Sequence, residues 1–234
     1  EDVQAVLLQG AEDHFCAGAD IVARNAAPRR ADAPAGDDAD EELRPARPRV
    51  GSIQRRVPSL AHRLIPLVLT VQVPVVCRVQ GWAAGIGFQL ALAADFTIAS
   101  SEARFWEPFT ERGFTPDSGA TWLLPRVVGP ARARELLLLG RSLDGDEAAA
   151  WGAIHRSVEP AALDDEVAAV LDALAHGPTV ALGLTKWLLA ASPDEALEAQ
   201  LRNEAFALEL SSRSEDFKEG MAAFAQKRPP EFRG

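Results

Sequence analysis

The stretch Gly81-Trp82-Ala83-Ala84-Gly85-Ile86-Gly87-Phe88-Gln89 follows directly on the apolar run Val75-Val76-Cys77-Arg78-Val79. Together they read as a buried strand that ends in a glycine turn. Beyond the turn, residues 87–94 read as a buried helix, and Phe96 to Ala99 as the next strand. About seventy residues earlier the arrangement recurs: Val6-Leu7-Leu8 leads into the glycine turn of Phe15-Cys16-Ala17-Gly18-Ala19-Asp20-Ile21. A glycine turn at a strand end can present a free backbone N–H. Two such groups converging on one point make an oxyanion hole, which stabilises negative charge developing on a carbonyl or thioester oxygen. Acyl chemistry is the first expectation.

Outward from these turns, Ile53, Val57, Leu60, Leu64 and Val68 recur at helical spacing and predict an amphipathic helix running into the strand Val75 to Val79. Between the first turn and that helix, Ala23 to Arg49 is almost all Ala, Pro, Arg, Asp, Glu and Gly without apolar period, so residues 23–50 are expected to form a disordered insertion. A solvated loop and a lid over the first turn are both compatible with it. After Gly119 the chain turns helical over Ala131–Leu139, Asp146–Trp151, Ala162–Ala175, Thr179–Ala190, Pro193–Leu210 and Ser214–Arg228, with Ser192 and Pro193 placed as an N-cap and first helical residue. Gly140, Gly152 and Gly177 fall where helices should stop.

Composition bounds the function. The chain has 234 residues, 47% of them hydrophobic, enough for one substantial core. A net charge of -10 with pI near 4.9 excludes a nucleic-acid binder, which needs a basic face, while leaving room for a few local arginines around a phosphate tail. Cys16 and Cys77 are the only cysteines and have no metal-ligand spacing, so a reduced, cytoplasmic protein is expected rather than a disulfide scaffold. The apolar region from Val71 to Ala94 is interrupted by Pro74, Arg78, Gln80 and glycines, which speaks against a membrane helix. His14, His62, His155 and His176 have no Ser or Cys partner at triad spacing.

Three motifs in order carry a resemblance: the Cys16-Ala17-Gly18-Ala19-Asp20 turn, the turn ending Gly85-Ile86-Gly87, and Pro116-Asp117-Ser118-Gly119 with Leu124-Pro125-Arg126-Val127-Val128-Gly129. With the C-terminal Ala223-Phe224-Ala225-Gln226-Lys227-Arg228-Pro229-Pro230 they make the chain similar to the enoyl-CoA hydratase/isomerase (crotonase) superfamily. The later part looks most like the branch that includes the 1,2-epoxyphenylacetyl-CoA isomerases. The resemblance implies an α/β fold, the ClpP/crotonase-like spiral of ββα units, over residues 1–130, and a C-terminal helical oligomerisation region over 131–234. Family members usually place a strand, a turn and a helix ahead of the segment matching Val3 to Gly10, so the sequence is expected to begin inside that pattern. It further implies a homotrimer or a hexamer built from two trimers, although a helical cap folded on its own core has the same periodicity. No cofactor is implied beyond the coenzyme A that comes with an acyl-CoA substrate.

By family position, Ala19 N–H and Ile86 N–H are the thioester-oxygen donors, and Ile86 also opens a helix whose dipole points the same way. Ala17, Asp20 and Ile21 in the first turn, Arg24 after it, and Lys227 from a neighbouring subunit are the expected coenzyme A contacts. The two glutamates that family hydratases use to hold water correspond to Gln89 and Phe109, neither of which transfers protons. Gln89 can still hydrogen-bond substrate or water, and Phe109 suits an apolar acyl pocket or the core. Glu107 and Glu111 flank these positions, but Pro108 anchors the register that keeps them out; a displaced Glu111 is the hydratase alternative. Asp117 stands where relatives carry a catalytic carboxylate, and an Asp after Pro and before a helix is equally an ordinary N-cap. The expected function is enoyl-CoA double-bond isomerisation, with hydration or acyl-CoA binding without chemistry as alternatives.

Overall fold

The computed structural model describes residues 3–18 and 61–234. The insertion at 23–50 and the first half of the helix expected from Ile53 lie outside them. Four parallel strands, β1 (Val6–Gln9), β2 (Val75–Val79), β4 (Phe96–Ser100) and β7 (Arg156–Val158), form the main sheet in the order β1-β2-β4-β7. The register sets Val6 beside Val75, Val76 beside Phe96 and Ile98 beside Arg156. Parallel neighbours need long crossovers, and helices supply them. These include α1 (Ala61–Thr70) before β2 and α2 (Ile86–Ala93) between β2 and β4.

A smaller sheet explains the rhythm of the chain. β3 (Trp82–Ala84) and β5 (Arg104–Trp106) pair in parallel, and β6 (Leu143–Asp144) joins β5 antiparallel. Each pass of the chain therefore lays one strand in the main sheet, one in the small sheet, and then a helix: β2-β3-α2, followed by β4-β5 and α3 (Ala120–Val127). This is the crotonase-type spiral of ββα units.

β2 shows why its sequence is nearly all apolar. Val75, Cys77 and Val79 face the main core with Phe88, Phe105 and Leu124, whereas Val76 faces a second cluster with Ile98, Leu163, Val167 and Leu174. A strand buried on both faces has no polar alternation to show. The second cluster lies under α6 (Leu163–Ala175). Arg78, the exception in β2, turns its guanidinium to Asp164 at 2.6 Å and Gln80 at 2.9 Å.

The later helices follow the expected order: α4 (Pro130–Leu139), α5 (Gly145–Ala150), α6, α7 (Thr179–Ala191), α8 (Leu197–Ser211) and α9 (Glu215–Gln226). α8 starts four residues later than Pro193 suggests. Ser192 Oγ donates back to Leu189 O at 3.0 Å instead of capping forward, and Ser192–Asp194 closes as a single 3-10 turn. α7 is pinned to the sheet by buried Lys186, whose Nζ donates to Asp95 Oδ2 at 2.6 Å and to Val73 O at 3.1 Å. Among the described residues no single helix is long and apolar enough to cross a membrane.

Candidate active site

The two glycine turns meet. Cys16 N–H donates to Trp82 O at 2.9 Å, and Ala84 N–H donates to Cys16 O at 2.8 Å, so the first turn is stitched along β3. His14 helps by accepting from Trp82 N–H through Nδ1 at 3.3 Å, which gives this histidine a structural post. Two glycines are needed here for space. A Cβ on Gly87 would lie 2.5 Å from Cys16 O, and one on Gly18, at φ +90°, would lie 3.2 Å from Ala84 O. Gly85, at φ 55°, then turns β3 into α2 so that Ile86 is the first helical residue, half-buried. The first N–H groups of a helix have no intrahelical partner, and this helix start lies close to the stitched turn, as the contact between Gly87 and Cys16 shows. Ala17 and Gly18 lie in that turn; Ala19, Asp20, Ile21 and Arg24 fall outside the described residues.

One turn into α2, on the face of Ile86, stands Gln89. It is fully buried, and its Nε2 donates to Glu107 Oε1 at 2.5 Å. Glu107 is only 1% exposed. Pro108 is thus no bar to the burial of Glu107. Glu107, Pro108 and Phe109 are all buried just beyond the end of β5 at Trp106. Burial pushes the Glu107 carboxyl up from 4.5 to about 8, against the lowering effect of the Gln89 hydrogen bond, and the charge of Asp117 pushes the same way as burial. Glu107 Oε2 and Gln89 Oε1 are buried without a hydrogen-bond partner among the described residues. Phe109 packs edge-on against Phe114, with ring centroids 5.5 Å apart, and reaches to 3.7 Å from where a Cβ on Gly85 would stand.

Asp117 is exposed, directly before α3. Ser118, at φ 53°, and Gly119, at φ 91°, are both left-handed, an uncommon conformation for the serine that is sustained by its burial. The turn begins α3 from Gly119 with no side-chain cap, so the Asp117 carboxylate is not spent on capping. Its Oδ1 accepts only from Ser118 Oγ among the described residues, at 2.9 Å, and the residue is exposed. Ser118 and Gly119 also border a cavity of about 510 Å³ walled by Ile65, Leu69, Trp122 and Leu123. Glu111 is elsewhere: it is exposed on a 3-10 turn, with its carboxylate against Gly140 at the end of α4. Lys227 is exposed at the C-terminal end of α9, in a left-handed conformation at φ 54°. Cys77 is no nucleophile, since burial pushes its thiol up to about 12.

The structure thus holds a helix start against a glycine turn, a buried Gln89–Glu107 pair one turn into that helix, and an exposed carboxylate at Asp117. A family model described as enoyl-CoA hydratase/isomerase matches residues 35–234. The chain belongs to the enoyl-CoA hydratase/isomerase (crotonase) family. It is similar to 1,2-epoxyphenylacetyl-CoA isomerase from Escherichia coli strain K12, with 39% identity across the whole chain and 82% of that protein. It is also similar to crotonyl-CoA hydratase from Syntrophomonas wolfei, with 34% identity over 76% of the chain and 68% of that protein. Among solved structures, an enoyl-CoA hydratase from Bacillus anthracis superposes with a TM-score of 0.82 at 29% identity, covering 98% of this chain and 81% of that one. This crotonase-family enzyme thus has relatives bearing both isomerase and hydratase names, and membership implies an acyl-CoA substrate.

Proposed function

We propose that the chain is an enoyl-CoA double-bond isomerase. The thioester oxygen would rest between Ala19 N–H and Ile86 N–H, making the neighbouring carbon or its vinylogue acidic. Asp117 then removes a proton from one carbon of the acyl chain, leaving a dienolate whose charge sits on that oxygen. The observation that carries this reading is the stitching of Cys16 to β3 under Gly87, which sets the start of α2 against the first turn, while the uncapped Asp117 carboxylate stays available. Hydration through a displaced Glu111 has less support, because that side chain packs on Gly140.

Incubation with a set of 2-enoyl- and 3-enoyl-CoA thioesters is the test. Double-bond migration should exceed water addition clearly, since each missing partner of a general acid/base pair is typically worth roughly 10²–10⁴-fold. Hydration at the faster rate would contradict the reading.

Exposed apolar side chains on the last two helices, Leu197, Phe206 and Phe224 at 73%, 70% and 84%, support assembly into a homotrimer or hexamer. In it Lys227 would approach the coenzyme A tail held by a neighbour. The unpaired Cys16 and Cys77 fit a reducing, cytoplasmic setting.

A further inference from the structure

A carboxyl group and a carboxamide buried together, each with an oxygen left over, demand a reason, because unsatisfied buried polar atoms are rare and costly. Glu107 and Gln89 are such a pair, with Glu107 Oε2 and Gln89 Oε1 unpartnered among the described residues. A purely structural site would be cheaper with two apolar side chains of the same volume. Two further facts tie the pair to chemistry. Gln89 lies one helical turn behind Ile86 on the same face of α2, and the exposed carboxylate of Asp117 is close enough for its charge to act on Glu107. A buried carboxyl that keeps its proton, held in place by a carboxamide, is suited to the role of acid.

We propose that Glu107, oriented by Gln89, is the second proton-transfer residue of the site, delivering a proton to the carbon that Asp117 does not serve. The proposal rests on the isomerase reading above. In the first step a substrate C–H bond breaks, the proton passes to the Asp117 carboxylate, and the bonding electrons enter the dienolate. In the second step the Glu107 O–H bond breaks, a new C–H bond forms at the other end of the dienolate, and the electron pair withdraws from the thioester oxygen. The proton on Asp117 then returns to Glu107 through water, which restores both residues. The buried acid thus takes over one half of the proton traffic that a single exposed carboxylate would otherwise shuttle alone.

The experiment follows label in deuterated water, with a 3-enoyl-CoA substrate, for the wild-type enzyme, Glu107→Gln and Asp117→Asn. Glu107→Gln should keep the exchange of substrate hydrogen with solvent that Asp117 performs, while double-bond migration falls by roughly 10²-fold. Wild-type product should carry solvent deuterium at the newly protonated carbon, with no direct transfer of the removed hydrogen. Glu107→Met, similar in volume and without a carboxyl, is the second variant should the glutamine fold poorly, and it should show the same split between exchange and migration. Migration at the wild-type rate in either folded variant overturns the proposal. So does an equal loss of exchange and migration with acyl-CoA affinity intact, which is what a merely structural Glu107 would give. Exchange that survives Asp117→Asn overturns the isomerase reading itself, and the pair assignment with it.

Discussion

Asp117 and Glu107 lie ten residues apart in sequence and occupy opposite environments. The first stands exposed before two left-handed residues, its carboxylate accepting only from the neighbouring serine among the described residues; the second is buried just beyond β5 against Gln89. The surroundings of Glu107 therefore favour its neutral form. Burial does more to Glu107 than any single neighbour does, and Asp117 adds to it. The contrast teaches that an exposed turn leaves a carboxylate accessible, while burial beside Gln89 lets a carboxyl retain its proton.

The largest effect is expected where the two regions share a dependency. Gly87→Ala would place a Cβ 2.5 Å from Cys16 O, so the first turn must move away from the start of α2. If the site works as described, exchange and migration fall together by about 10²-fold, the typical cost of losing one oxyanion donor, while both carboxyls remain in place. Steady-state kinetics beside a circular-dichroism check of folding reads this directly. Wild-type turnover in that variant would mean that the junction between the turns does not matter.

A smaller effect should separate the buried carboxyl from the exposed one through pH. Glu107 titrates near 4.5 when unfolded and about 8 when folded, so between those values the native state holds a proton that the unfolded chain has lost. Stability must then fall as pH rises through that window and level off above it. Glu107→Gln carries no such proton, so its melting temperature should gain on the wild type between about pH 5 and about pH 9. A constant difference across that range would show that Glu107 is not held neutral. Least of all is expected from Ser118→Ala, which removes the one hydrogen bond recorded on Asp117 Oδ1. At about 1 kcal/mol the loss is roughly fivefold in kcat/KM, with no change in the pH behaviour of stability.

Much of this was legible in the sequence. The strand Val75–Val79 and the helix stops at Gly140, Gly152 and Gly177 follow from apolar runs and backbone chemistry that act locally. The three-residue strands β3 and β5 were not, because so short a segment has no period to read and exists only through pairing. Glu107 is illegible for a related reason: beyond β5, Glu107, Pro108 and Phe109 are buried in succession, so no period marks which of them faces inward. Ser192 and Pro193 make a good local start signal that tertiary packing does not use, and α8 begins at Leu197 instead. The cap role for Asp117 was equally plausible on local grounds, and only the left-handed Ser118 and Gly119 show why the side chain stays free.

The central claim is that Asp117 moves the substrate proton, and Asp117→Asn in deuterated water tests it most directly. The side chain caps no helix, so the substitution should leave the melting temperature and acyl-CoA affinity nearly unchanged. Solvent deuterium exchange into a bound enoyl-CoA, and double-bond migration with it, should fall by roughly 10²-fold or more. Exchange at the wild-type rate in a folded, acyl-CoA-binding Asp117→Asn enzyme would contradict the account.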